Sequence, residues 1–322
     1  DLRFWNFYLD GVEWKSFFNG NLVGIPQTGS PLPQEAMREF RVHLNPYDAA
    51  YTRGSSFIIS AESQRGTNEL RGSVFGFGQN NNLNSHDDLQ GILRENPTYK
   101  RADYGRWQAG FNLRGPIKQD RTFFSVSYEG QSTDNTLTVN PRNAPWSTFA
   151  KDYAAPTVNH TGVMRLTHNV TAAHTADFTY ASRYYDSETN FGGTVDRSGG
   201  LKATYWVHSA QLRDTYTPDA NTVNELSLNL LSWSHSEAQM EPGRQQDSYP
   251  GIRFGTNGFP LELNELTLRL VNRLTKSLAG GRHIVTAGAT TQQPRWLVLL
   301  HPRRPGGDAN DRQYRHGLLD GH

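Results

Sequence analysis

A chain of 322 residues with 35% hydrophobic residues and a mean hydropathy of −0.69 is not a bundle of membrane helices, because no stretch approaches the ~20 apolar residues that a spanning helix needs. Its formal charge of +1 gives no reason to invoke nucleic acid. The absence of cysteine removes both a disulfide framework and a thiolate metal site.

The chain begins mid-element at Asp1-Leu2-Arg3-Phe4, so an N-terminal part is expected to precede it; no signal peptide is visible although an exported protein would carry one. Phe7–Val12 reads as a short strand ending in an Asp10-Gly11 turn. A loop rich in Gly, Pro, Asn and Ser follows from Trp14 to Pro33. Glu35–Phe40 is predicted as one helical turn leading into a strand over Phe40–His43. A second apolar strand, Phe57–Ala61, precedes the polar turn Gln64–Asn68. This mixed α/β piece is too small for a core of its own and runs into the next strand through a turn.

From there the pattern changes to a long series of two-faced strands. Candidates run over 69–78, 103–115, 121–131, 160–170, 172–186, 202–216, 222–235, 263–276 and 282–290. Their connections alternate, with short turns at Pro116–Asp120, Thr171, Thr217–Asn221 and Ser277–Gly281 and long polar loops elsewhere. Leu226, Leu228 and Leu230 oppose Glu225, Ser227 and Asn229; Leu266, Leu268, Leu270 and Leu274 oppose Glu265, Thr267, Arg269 and Arg273. Trp107, Ala109, Phe111 and Leu113 oppose Arg106, Gln108, Asn112 and Arg114. Side chains alternate across a strand, so each segment has one apolar and one wettable face. A soluble antiparallel sheet would need a helix layer or second sheet over the apolar face, and the sequence offers no amphipathic helix to supply one. Loops sorted by parity instead predict an up-and-down barrel in an outer membrane, with lipid covering that face. Aromatic residues near strand ends, such as Trp206, Tyr216 and Trp233, fit an interfacial girdle. Gly72, Gly76, Gly78 and Gly110 fall on strands, where they can let a backbone approach the wall or ease its bending.

Particular segments carry a family resemblance. Tyr8–Val12, Glu35–Val42, Asn45–Tyr51, Ile59–Asn68 and Gly72–Phe75 resemble the plug of a TonB-dependent receptor and its junction with the first barrel strand. Gly115-Pro116-Ile117, Asp120–Phe124 and Tyr128-Glu129-Gly130 resemble the second-to-third strand turn of the Oar-like branch, whose members carry a carboxypeptidase-regulatory-like domain. The match is good over roughly residues 5–130; one departure is Thr52, where the family usually has Gly. The resemblance implies a mostly β protein: part of a plug, then the first ~9 antiparallel strands of a large, about 22-stranded transmembrane barrel. Nine strands would leave that barrel incomplete and unclosed, so the chain reads as a fragment. Implied too are nutrient uptake across the bacterial outer membrane (an oligosaccharide, peptide or metal chelate), the TonB complex as partner through a preceding segment, contact with outer-membrane lipid, and no cofactor.

The expected domains are 1–65, the C-terminal part of the plug; 66–291, the N-terminal part of the barrel; and 292–322, an unpatterned tail. After Gln292 the alternation stops, and the run Trp296–Leu300 lies between Pro294 and Pro302. An extracellular loop and out-of-frame translation both remain open readings of it.

Chemistry-bearing motifs are sparse. Ser85-His86-Asp87-Asp88 has the letters of a hydrolase triad, but adjacent loop residues rarely converge as nucleophile, base and orienter, so no enzyme is expected. His160, His168, His174, His208 and His235 show no metal-ligand spacing. The candidate ligand contacts are Trp14, Phe17, Phe18, Asn19 and Asn21 in the plug's apical loop, which combine stacking faces with amide groups. Asn80, Asn81 and Asn82 in the first long loop form a second set. Pinning of the loop and plain solvation are the plainer roles for the two sets. The functional class beside uptake is surface adhesion or a structural role, with the barrel as anchor.

Overall fold

Nine antiparallel strands pair in strict chain succession, and a four-stranded sheet from the first 63 residues lies against their inner face. The computed structural model describes residues 5–16, 31–44, 51, 56–83, 104–141, 145–242, 246–255 and 261–300. The first sheet is mixed, built from β1 (Trp5–Leu9), β2 (Val12–Glu13), β3 (Met37–Leu44) and β4 (Phe57–Ser63) in the order β2-β1-β4-β3. β1 runs parallel to β4 and antiparallel to β2. The turn between β1 and β2 places Asp10 at φ 49° and Gly11 at φ 84°, conformations that Asp tolerates and Gly adopts freely. The helical turn expected over Glu35–Phe40 is a single 3-10 turn, Gln34–Ala36, and Met37 already belongs to β3. Pairing with β4 supplies those residues with backbone partners that an isolated turn cannot.

The wall comprises β5 (Arg71–Asn80), β6 (Gly105–Lys118), β7 (Thr122–Asp134), β10 (Thr157–Asn169), β11 (His174–Thr189), β12 (Leu201–Asp219), β13 (Thr222–Gln239), β16 (Leu261–Leu278) and β17 (His283–Leu300). The short turns lie at one end and the long connections at the other. β5 and β17 are its two edges, and the sheet does not close. The expected faces are present: Leu228 and Leu268 are each 44% exposed on the outer side, while Asn229 and Thr267 next to them are buried. Among the described residues no helix or second sheet covers the outer leucines.

Three departures from the sequence reading have clear causes. First, β17 runs on to Leu300, paired residue by residue with β16 down to Leu261, well beyond the expected boundary at 291. Backbone pairing with a formed neighbour does not require period-two alternation, which is why the pattern failed to mark it. Second, Gly72, Gly76 and Gly78 face outward, opposite Leu113, Ala109 and Trp107, and so do not admit the plug; Gly110 faces inward beneath the ring of Phe75. Third, the inner face is not uniformly polar. Val163, Ala181, Val207, Leu231 and Leu263 form an apolar seat on which Phe7, Leu9, Val12, Trp14 and Leu32 rest.

At the long-loop end, segments read as featureless loops fold together. β8 (Thr136–Val139) pairs with β9 (Lys151–Ala154), and β14 (Asp247–Tyr249) with β15 (Ile252–Phe254). Bridges at Val139–Gly193 and Val195–Arg253 join the two hairpins through the connection between β11 and β12. Trp146 packs tilted against Tyr249 at 4.7 Å and Phe149 meets Phe254 edge-on at 5.2 Å, so three loops form one body.

Candidate functional site

The candidate site of this molecule is the junction of the small sheet with the wall. At its centre lies Asp10, whose polar groups all point at partners. The Asp10 amide donates to the Ala61 carbonyl at 2.9 Å. Its carboxylate accepts from the Ser63 amide at 2.9 Å and the Ser63 hydroxyl at 2.6 Å, and it pairs with Arg165 of β10 at 3.5 Å. The Asp10 carbonyl accepts from Gln211 of β12 at 2.9 Å and from Arg213. The tight turn with positive φ at both central residues is what turns this carbonyl outward to the wall.

Arg165 in turn clasps Asp177 of β11 through Nε at 3.1 Å and Nη2 at 3.0 Å, and Arg65 reaches the other oxygen of Asp177 at 3.2 Å. Burial, and then the adjacent Arg165 guanidinium, hold Arg65 below the ordinary arginine value, with Asp177 pulling the other way. Higher in the wall, Ser16 donates to Glu265 at 2.7 Å, and the Gln34 amide donates to Glu129, which also accepts from Gln108 at 2.8 Å. Arg114 reaches Gln64. Where the chain leaves the small sheet for the wall it passes Gly66. A Cβ there would stand 2.8 Å from the Gly115 carbonyl oxygen and 2.9 Å from Phe123 Cβ, so only glycine fits.

Beneath the polar face of the small sheet, toward the short-turn end, lies a cleft of about 630 Å³. Tyr8, Ser60 and Glu62 line it from the small sheet; Arg213, Glu225 and Arg273 line it from the wall.

The predicted contact residues do not converge there. Trp14 is fully buried in the apolar seat, edge-on to Phe7, and presents no open stacking face. Phe17, Phe18, Asn19 and Asn21 lie outside the described residues, as do Thr52 and Ser85–Asp88. Asn80 ends β5, and its side chain accepts from the amide of Asn82 at 2.9 Å, a local turn that also includes Asn81. His160, His168, His174 and His208 face outward and His235 inward; no cluster of potential metal ligands exists among the described residues. Asp10, Arg165, Asp177 and Arg213 escaped the sequence reading. Their one signal was parity: Arg165, Asp177 and Arg213 all fall on the wettable face of their strands.

Residues 63–151 match the family model of an outer membrane beta barrel domain. Solved structures similar to this chain include the outer membrane transporter YddB from Escherichia coli, with a TM-score of 0.65 and 12% identity over 91% of this chain and 40% of that one. The siderophore receptor PirA from Acinetobacter baumannii gives 0.63 and 14% over 92% and 41%. A variant of the ferric enterobactin receptor PfeA from Pseudomonas aeruginosa gives 0.60 and 13% over 91% and 41%. The fold is that of an outer-membrane receptor: a plug against a barrel wall. The chain lies in the outer membrane and spans about two-fifths of the length of these structures. No curated protein matches the sequence. In the receptor fold the Asp10 network is the bond between plug and wall, and the apolar seat is the surface on which the plug rests.

Proposed function

We propose that this chain is the plug-bearing part of a TonB-dependent transporter of the Oar-like branch, taking up a nutrient across the outer membrane. The observation that carries the reading is the plug seated on the inner face of the wall and held by a buried polar network. A barrel that served only as an anchor would have no use for such an insert. The TonB complex would act through a segment preceding residue 1. Phe17, Phe18, Asn19 and Asn21, together with Asn80–Asn82 at the long-loop end, are the proposed first contacts of an oligosaccharide, peptide or metal chelate; Trp14 supports the plug instead.

Disruption of the gene in its host tests this. Loss of uptake of one scarce nutrient, with the same loss in intact cells treated with a protonophore, is expected. Unchanged uptake together with lost surface attachment would replace transport with adhesion.

A further inference from the structure

The cleft beneath the plug is unusually rich in one charge. Seven arginines and three carboxylates line it. Several of the arginines are engaged: Arg165 with Asp10 and Asp177, Arg273 with Glu225, and Arg41 with Glu39. Arg213 is different. It donates to the Asp10 carbonyl and to Gln211 Oε1 at 2.9 Å, both neutral acceptors. Arg38 lines the same cleft from the plug and forms no ion pair among the described residues. Arg65 lines it as well, and burial first, then the neighbouring Arg165, hold its pKa down, with Asp177 and Asp10 opposing Arg165 and Arg213. Guanidinium groups present planar forks of donors that match carboxylate and phosphate oxygens. A cleft of 630 Å³ has the volume of a small-molecule site.

We propose that this cleft is a binding site for a small multivalent oxyanion, carrying carboxylate or phosphate groups, with Arg213 and Arg38 as its principal cationic contacts. This deepens the uptake reading: the transported solute would be anionic and would pause here, on the short-turn side of the plug's polar face. A neutral oligosaccharide gains nothing from such a lining, and a cationic peptide would be repelled by it.

The chain has no cysteine, so one introduced thiol is unique. Ser227 lines the cleft, and Ser147 lies exposed in a long loop. Ser227→Cys and Ser147→Cys versions of the full chain in detergent micelles are labelled with anionic and cationic methanethiosulfonates of similar size. The expected result is a ratio of anionic to cationic rates about tenfold or more higher at position 227 than at 147, falling with added salt. Citrate or pyrophosphate should protect position 227 while sucrose does not; which of the two protects better identifies carboxylate or phosphate as the preferred group. Adding Arg38→Gln and Arg213→Gln should bring the ratio near that of position 147 and abolish protection. Equal ratios at the two positions in the otherwise unaltered chain would overturn the proposal, and so would anion preference without protection by either anion. None of these readouts needs uptake, so failure of the transport reading would show separately, in the gene disruption.

Discussion

Asp10 in the plug and Arg165 in the wall are separated by 155 positions, yet their charged groups lie 3.5 Å apart with both side chains almost wholly excluded from water. Arg165 keeps its closer partner Asp177 at 3.0 Å when Asp10 is removed, so the loss falls below the about 3–5 kcal/mol of a buried charge left wholly uncompensated. Asp10→Ala also strips the Ser63 amide and hydroxyl of their acceptor. The expected outcome is a plug that protease releases from the wall at denaturant concentrations where the parent chain keeps it. Asp10→Asn preserves an acceptor for Ser63 and should lose less. Equal plug retention in the parent and Asp10→Ala chains would remove Asp10 from the centre of the junction.

The outer leucines give a prediction graded by depth. Leu228 pairs with Leu270 and Leu268 with Leu230, so Leu228 and Leu268 are diagonal cross-strand neighbours two residues out of register, both outward and 44% exposed. If lipid covers them, Leu228→Arg should destabilise insertion by about 2–4 kcal/mol, whereas Leu278→Arg, beside the turn after β16, should cost about 0–1 kcal/mol. Equilibrium folding into vesicles measures both. Equal costs at the two positions would place the membrane elsewhere.

Alternation along a strand reveals the wall and hides the junction. The wall was legible because most of its strands alternate, apolar out and chiefly polar in; the end of β17 and the apolar seat under the plug are the exceptions. The plug's Asp10-Gly11 turn was legible because Asp and Gly are residues that accept positive φ. The junction was not legible: Ser16 meets Glu265, and Gln211 meets Asp10, across more than 200 positions. No periodicity encodes such a meeting. Leu230 and Leu231 illustrate the limit well. Two neighbouring leucines blur the alternation, and only the seated plug explains why Leu231 faces inward and is buried. The paired loop segments β8, β9, β14 and β15 were hidden for a similar reason, since each is three or four residues long and is stabilised by contacts among separate hairpins.

Gly66, between the small sheet and the wall, contrasts with the wall's own glycines. Gly66→Ala pushes a methyl group against the Gly115 and Phe124 carbonyls, backbone atoms that cannot rotate away. Overpacking of this kind costs about 1–3 kcal/mol. Gly76→Ala, on the outer face with nothing within 4 Å, should be neutral or slightly stabilising through lost unfolded-state freedom. Denaturant midpoints of the two variants should therefore move in opposite directions or differ by well over the error of the measurement. A neutral Gly66→Ala would mean that the chain between plug and wall does not run as close to the β6–β7 turn as described.

The last prediction concerns the two edges. Among the described residues β5 and β17 each pair on one side only, and no strand lies beside their remaining backbone donors and acceptors. In hydrocarbon every such group is costly, so a spanning sheet must close or find a partner. Nine strands that curve around a plug do not bring β5 to β17. Open edges of 10 and 18 residues are templates for pairing with another chain. The 322-residue polypeptide in detergent should therefore associate edge to edge and should not form a heat-resistant monomer. Cysteines introduced at Val74 on β5 and Ala289 on β17, joined with a short bifunctional maleimide, report which pairing occurs. Links between chains are expected, and the monomer should show none between its own two edges. A cross-linked monomer that resists heating would instead mean that the nine strands close on themselves around the plug.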